Sequence, residues 1–478
     1  MVSPTPFDTD VCVLGAGPAG SCHALRLAQL GYRVTLVERR PFPRSHLGES
    51  LTPGVRPLLA SLGAGEVLDR AGRVPVRQVD VVWGNHHAPR IDPRATGSLV
   101  DRAGFDQALV EVAMRAGVTL LQPAHLQSKE RDGAGWRLAL TTRSGASTLR
   151  ARFLSIATGR SGGPGSARAA AGPRTVAVYG YWRGTAAATV PRIQSGPAEW
   201  LWSVPLPDGS QNVLVFVDAS RLHGIAAPEL ETWYRAQVET AGILSDTTAA
   251  TLVSAVRAAE ATPYLDEAPV DERHIKIGDA ALALDPLSSS GVQKAIQSAT
   301  AGALVVNTIL RRPAASAAAI QFYEDSLARA ARRHAAWSAN HYAEATSTHP
   351  GVFWSARAGG ADAVPAEPDQ PPPALQAWLG LSSAVRLADE PCLVGDFVES
   401  RPAVHHPRLD DPVAFVAGVE LAPLLARIPR AAPAAEIARS LANAMPADQA
   451  VALTSWLYRN GLLEMRRTPA PAEPATVA

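Results

Sequence analysis

The sequence predicts an α/β fold: a βαβ-based domain interleaved with an antiparallel sheet, followed by a small C-terminal α+β domain. Three observations carry that prediction. Residues 10–40, DVCVLGAGPAGSCHALRLAQLGYRVTLVERR, run from an apolar stretch through a glycine cluster and a helical pattern to a second apolar stretch ending in Glu38. Residues 175–183 and 199–217 are β-rich, and Pro207-Asp208-Gly209 breaks the second run with good turn chemistry. Residues 356–373 form a Pro/Ala/Gly-rich linker that cannot bury enough apolar surface to fold alone. The predicted organisation is one discontinuous domain over 8–170 and 270–355, a sheet domain over 171–269, the linker, a domain over 374–465, and a disordered tail over 466–478.

The elements follow in order. Val11 to Leu14 make the first strand, and Gly15, Gly17 and Gly20 follow it directly. Gly15 permits a tight turn. Gly17 lets the backbone approach a pyrophosphate, and Gly20 lets the next helix pack close to the strand. Ala16, Pro18 and Ala19 complete that loop. The helix carries Ala24, Leu25, Leu27, Ala28 and Leu30 on one side, and Gly31 ends it. Its N-terminus offers free N–H groups and partial positive charge to phosphates. The strand Val34 to Val37 delivers Glu38, which can accept hydrogen bonds from a ribose, with Arg39 beside it. The whole stretch reads as a dinucleotide site.

A loop and a helix near Pro57–Leu62 come next, then a strand over 76–83. Residues 101–116 form an amphipathic helix with Asp101 as N-cap and Phe105, Leu109, Val112 and Ala113 on one face. Strands VTLLQPAH, WRLALTT and STLRARFLSIATG follow Gly117. Beyond the sheet segment lie a helix over about 227–241, the strand HIKIGDAA, a helix from Gly291 and a long helical stretch over about 315–345.

Composition narrows the function classes. The chain has 478 residues, 47% of them hydrophobic, and a formal net charge of +1. That balance suits a globular protein and gives no electrostatic case for nucleic acid or an anionic membrane. Cys12, Cys22 and Cys392 match neither a disulfide framework nor a metal site. The first two fall on the first strand and helix as core thiols, and a reducing cytoplasm is the expected compartment. No N-terminal basic-then-apolar pattern marks a signal peptide. No apolar run reaches the roughly 18 residues of a membrane span. The only lysines are Lys129, Lys276 and Lys294.

Five segments in order resemble the superfamily of FAD-dependent monooxygenases and flavin-dependent halogenases. They are the opening fingerprint with Glu38, SHLGESLTP at 45–53, Asp101-Arg102 before Phe105-Asp106, SIATGR at 155–160, and Gly278-Asp279-Ala280-Ala281 leading to Asp285-Pro286 and Ser289-Ser290-Gly291. The resemblance covers about residues 8–345. It implies a Rossmann-like FAD-binding domain interleaved with a substrate domain. It places Ser50, Arg102, Thr158, Gly159, Pro286, Ser290, Gly291 and Val292 near the cofactor and puts Asp279 on the ribityl chain. Because FAD is long, a second anchor opposite the phosphate-binding helix is also expected from the chemistry. The N-terminal amides near Gly291 and Val292 could stabilise charge on the flavin pyrimidine ring. No second GxGxxG with a following helix and acid occurs. Transiently bound NAD(P)H or a separate flavin reductase is therefore the expected source of electrons.

Residues 200–205, WLWSVP, resemble the WxWxIP signature of the halogenases, whose tryptophans separate flavin from substrate chamber. Trp83, Trp200 and Trp202 are accordingly the candidates for the substrate side. Periodicity alone makes Trp200 and Trp202 two same-face residues of one strand. The halogenases also carry a lysine on a strand leading to a Trp, which here is VRQVDVVWG at 76–84, and that strand has none. Arg77 is no substitute, because a guanidinium does not readily release a proton. The expected activity is hydroxylation of an electron-rich aromatic ring through a flavin hydroperoxide. Halogenation is the alternative, as is saturation of prenyl chains by a geranylgeranyl-reductase-like flavoprotein.

DPLSSSGVQKAIQSA is similar to flavoproteins of tryptophylquinone cofactor biogenesis, which implies a tryptophan in a partner polypeptide as substrate. The C-terminal segment resembles winged-helix modules that hold leader peptides, with a helical cap or dimerisation element as the other reading. Arg401, His405 and His406 lie in a loop or wing there and make no metal site. His46 and Glu49, on the loop facing the flavin, are the candidates to orient substrate or accept a proton. A solvated loop histidine and a loop anchor are their plainer readings.

Overall fold

The computed structural model describes residues 7–91, 96–161, 167–184, 190–244, 250–359 and 371–466. Most of the expected linker (360–370) and the tail from 467 onward lie outside the described residues. The chain divides into two units, Met1–Val364 and Pro365–Ala478.

In the first unit, Thr9–Leu14 pairs in parallel with Val34–Val37 on one side and with the end of Gly145–Ile156 on the other. Thr119–Leu121 and His274–Lys276 extend the parallel layer at its two edges. Val11 to Leu14 and Val34 to Val37 are buried throughout, so both strands read as unbroken apolar runs. One face is covered by helices Pro18–Gln29 and Gly291–Arg311, which pack on each other. The other is covered by the meander Ala124–Asp132, Gly135–Thr142 and Gly145–Ile156, whose Trp136, Leu138 and Leu140 pack on Cys12, Leu14 and Ile156. Cys12 and Cys22 are fully buried thiols, and burial pushes both above the ordinary cysteine range.

Among the described residues the second sheet has eight strands. Its centre is the hairpin Glu199–Pro205 and Gln211–Asp218, closed by the turn at 206–210 with Gly209 at φ +77°. One face packs on helix Glu229–Ala241 through Leu201, Val215 and Tyr234. The other packs on the long helix Ser316–Thr346 and on Val352–Ala358 through Trp200, Tyr342 and Trp354. The strand Gln78–Trp83 joins this sheet rather than the nucleotide-binding layer. It pairs in parallel with Arg192–Ser195. The second sheet therefore draws on a segment that the sequence assigns to the first domain.

The second unit holds a three-stranded sheet of Ala432–Pro433, Trp378–Leu381 and Leu463–Met465. The hairpin Arg386–Val394 and Phe397–His405 stands beside it in sequence. Helices Ala434–Leu441 and Ala447–Arg459 belong to the same unit. Leu379, Ile437, Leu453 and Leu457 lie in its core.

Candidate functional site

The first strand ends in a turn that only glycine can make. Gly15 has φ +99°, and a Cβ there would stand 2.5 Å from the Ala157 carbonyl oxygen. A Cβ on Gly20 would collide with the Gly15 carbonyl. Gly15 and Gly20 also lie against Ala157 and Thr158, so the two glycine-containing turns are neighbours. In front of Gly17 nothing stands nearer than the Arg44 guanidinium, 3.6 Å from where a Cβ would lie. Ala19 touches Gly278, where φ is +61° and any Cβ would lie 2.6 Å from the Ala19 methyl. The phosphate-binding helix and the Gly278-Asp279 turn are thereby neighbours.

Glu38 is buried and fixes the glycine turn: its Oε2 accepts from Ala16 N at 2.9 Å and its Oε1 from Arg40 N at 3.0 Å. Arg39 is exposed beside it. Arg44 lies 3.6 Å from both Glu38 and Asp106, and its Nε is buried without a partner. The Thr158 hydroxyl is likewise buried and unpartnered. A donor and a hydroxyl left unsatisfied beside an open glycine turn are costly unless a ligand meets them. Sequence reasoning missed Arg44, because it sits in a proline-rich loop with no local pattern.

Asp279 forms the opposite end. Lys294 Nζ donates to its Oδ1 at 2.7 Å, Arg160 Nε lies 3.5 Å from its Oδ2, and Tyr264 donates to its carbonyl oxygen at 2.5 Å. About a third of its side chain (32%) stays open to water although protein surrounds it, as on the wall of a deep cleft. Burial works to raise the Asp279 carboxyl, but the Lys294 and Arg160 charges outweigh it and hold the group below its ordinary value. Asp285 Oδ1 caps the turn Pro286–Ser288 through Leu287 N at 3.0 Å, and Tyr342 donates to both its oxygens at 3.1 Å. Ser289 takes a left-handed φ of +51°. Helix Gly291–Arg311 then begins with no side-chain cap at Ser290, and open space faces Gly291. Val292 is partly buried in that first turn. Its first amides are free to meet a negative group.

The loop 45–51 closes the cleft. Arg102 is buried, and its guanidinium is spent on Asp106 and on the carbonyls of Leu47 and Gly48, so it acts by holding this loop. Glu49 is also buried. It accepts from Gly48 N at 2.9 Å, Tyr181 Oη at 2.8 Å and Asn212 Nδ2 at 3.1 Å. Those contacts tie the loop to the second sheet, which is an anchor's geometry. His46 is exposed, and its Nδ1 donates to the Leu47 carbonyl at 2.9 Å, leaving Nε2 as an acceptor. Crowding by protein and then the Arg102 charge lower its pKa, so the ring is neutral near pH 7. Ser50 is partly buried on the two-residue strand that follows.

Trp200 and Trp202 lie two apart on the strand Glu199–Pro205. Trp200 stacks on Phe216 at 3.8 Å between ring centroids and meets Trp83 edge-on at 6.3 Å. Trp83 donates to the His341 carbonyl and packs on Trp354 at 5.3 Å. Both are buried and fill a core rather than face a chamber, because Trp354 and Tyr342 from distant helices close over them. Trp202 alone keeps partial exposure, and the cluster's rim includes Leu47 and Leu287 from the two cleft loops. A cavity of about 90 Å³ lies behind Leu282–Asp285, lined also by His334, Ser338 and Arg357. Among the described residues no group of three or more His, Cys, Asp or Glu could hold a metal, and no helix is long and apolar enough to cross a membrane.

Comparison with known proteins agrees with this geometry. The family described as FAD binding domain matches residues 8–338. The tryptophan 2-halogenase of Chondromyces crocatus is 31% identical over 379 residues, 74% of this chain and 71% of that protein. The solved peptidyl tryptophan dihydroxylase QhpG, essential for tryptophylquinone cofactor biogenesis, is 30% identical with a TM-score of 0.75, covering 95% of this chain and 99% of that one. The flavin-dependent halogenase CmlS shares the fold, at 22% identity and a TM-score of 0.78 over 96% of each chain. The residues present fit FAD: an open glycine turn, two unpartnered polar groups beside it, and an acid and an uncapped helix at the far end.

Proposed function

The chain belongs to the FAD-binding family of flavin-dependent hydroxylases and halogenases, a family of oxidoreductases, and from that membership we propose that it hydroxylates a tryptophan side chain presented by a partner peptide. The observation that carries this reading is the similarity to a peptidyl tryptophan dihydroxylase, which at 30% identity spans nearly all of both chains. FAD, once bound and reduced, supplies the activation of dioxygen, with electrons from transient NAD(P)H or a separate reductase. The rest is the work of this chain's residues. The turn at Gly15–Gly20 with Arg44 and Thr158 takes the phosphate end. Asp279 accepts a hydroxyl of the ribityl chain. The first amides of helix Gly291–Arg311 offset negative charge beside the flavin ring. His46 Nε2 is a neutral acceptor in the cleft, placed to take a proton from an indole N–H or a water. Glu49 keeps His46 in place by anchoring the loop.

Halogenation is the second reading, favoured by 31% identity to a tryptophan 2-halogenase. Against it stands the strand Gln78–Trp83, which carries no lysine. Elsewhere, Lys129 lies over the Trp136 ring at 5.7 Å, Lys276 is paired with Asp266 at 2.6 Å and Lys294 with Asp279. The deciding experiment supplies the purified protein with FAD, a flavin reductant, oxygen, bromide and a tryptophan-containing peptide. Mass spectrometry is expected to find oxygen added and no halogen. A brominated indole with no oxygenated product would overturn the proposal.

A further inference from the structure

Lys294 is out of place by ordinary helix rules. It sits in the first turn of Gly291–Arg311, where the macrodipole disfavours a cation. It is also buried, with only 8% of its side chain exposed. A buried ammonium is costly unless its hydrogen bonds are met. Here they are met by Asp279 Oδ1 at 2.7 Å and by the Leu282 carbonyl. Two elements thus converge on one carboxylate: the helix through Lys294 and the turn after Gly145–Ile156 through Arg160. Tyr264, on the strand Tyr264–Asp266, holds the carbonyl of the same residue.

We propose that Lys294 is a positioning residue for FAD: it acts through Asp279, fixing that carboxylate's rotamer and charge so that an oxygen is always ready to accept from the ribityl chain. The inference rests on FAD being the ligand of this cleft. Burial alone would push Asp279 toward its neutral form, and a protonated carboxyl is a weaker acceptor whose O–H needs a partner of its own. Arg160 at 3.5 Å is too far for a good hydrogen bond and cannot replace Lys294. Burial outweighs Asp279 in setting the Lys294 pKa below its ordinary value.

The test is FAD binding to the full-length apoprotein, followed by quenching of flavin fluorescence. Wild-type affinity is expected to be level between about pH 8 and about pH 5.5, apart from any His46 contribution, which is common to all variants. K294M is expected to bind about tenfold more weakly at pH 7, the worth of one charge-assisted hydrogen bond. Its affinity should fall further toward acid, as Asp279 takes up a proton. D279N should be weak and level with pH, and adding K294M to it should cost nothing more. K294R should stay close to wild type. A K294M loss that is level with pH and additive with D279N would overturn the inference, as would a K294R loss as large as that of K294M. Should K294M not fold, K294Q is read in the same way and K294R decides alone. Absence of FAD binding by the wild type would instead sink the cofactor assignment and leave these variants indistinguishable.

Discussion

His23 sits where three elements of the nucleotide-binding layer meet. Its Nδ1 donates to the Ala299 carbonyl at 2.9 Å, and Nε2 accepts from the Ser155 hydroxyl at 2.9 Å. That pairing suits only the neutral ring, and burial lowers its pKa to about 4. An unfolded histidine titrates near 6.5, so the unfolded chain takes up the proton first. Stability should therefore be level above about pH 7 and fall as pH drops from about 6.5 toward about 4, by about 3 kcal/mol in all. Denaturant titrations at several pH values check this, and the slope should shrink in His23→Gln. An unchanged slope would assign the acid sensitivity elsewhere. Glu49 ties its loop down through three partners. Glu49→Ala leaves Tyr181, Asn212 and Gly48 N without their acceptor, a loss of about 1–3 kcal/mol. Glu49→Gln keeps an acceptor for them. If Glu49 only anchors the loop, thermal stability and turnover should recover together in the glutamine variant. Turnover lost at full stability would make the carboxylate a participant in the reaction. The steric roles of Gly15 and Gly20 were legible in the sequence because they are set within one short stretch. Arg44 and Lys294 were not, because an arginine in a proline-rich loop and a lysine in a helical run leave no pattern that marks an ion pair made by a turn of the chain.

Helix Arg102–Arg115 shows how an element carries the site. Asp101 accepts from Ala103 N at 3.1 Å and Gly104 N at 3.0 Å, as its position before the helix predicts. The next residue, Arg102, holds the carbonyls of Leu47 and Gly48. Fraying the first turn should thus loosen the loop that bears His46. Asp101→Ala is expected to cost about 1 kcal/mol, roughly 2 °C in melting temperature for a domain of this size. It should weaken FAD binding at the same time. A melting temperature that falls with no change in FAD affinity would separate the cap from the cleft. Most helices here were readable from apolar period and end signals, including 101–116 and 315–345. The strand Gln78–Trp83 was found, but the sheet it joins was not legible. Its partner Arg192–Ser195 lies more than a hundred residues on, and no local pattern records a parallel pairing of that span. The packing around Trp83 and Trp200 was not legible for a similar reason: Trp354 and Tyr342, which close over them, come from helices far along the chain.

At the scale of the molecule, every residue assigned to the cofactor precedes Ala295, inside the first unit. The second unit builds its own core from Leu379, Leu421, Ile437, Leu453, Leu457 and neighbours, all from beyond residue 365. Chains with separately built cores need not unfold in one step. The boundary falls inside the Pro/Ala/Gly stretch 356–373, a composition that cannot knit two cores into one. The consequence can be measured in the full-length protein. Leu453 is 3% exposed, and Leu453→Ala should cost that unit about 2–5 kcal/mol, the range for emptying a well-packed leucine site. Flavin fluorescence follows release of FAD from the first unit, whereas circular dichroism follows the loss of all helix. The substitution should bring forward the part of the dichroism change that belongs to helices Ala434–Leu441 and Ala447–Arg459, while the temperature of FAD release stays where it was. Peptide oxidation should then be assayed between the two transitions, where the second unit is unfolded and FAD is still bound. Unchanged KM for a short tryptophan peptide alongside a raised KM for its full-length carrier protein would place recognition of the carrier on the second unit. A parallel shift of FAD release with the dichroism would show instead that the two cores unfold as one, and would remove the ground for treating the second unit as a separate recognition module.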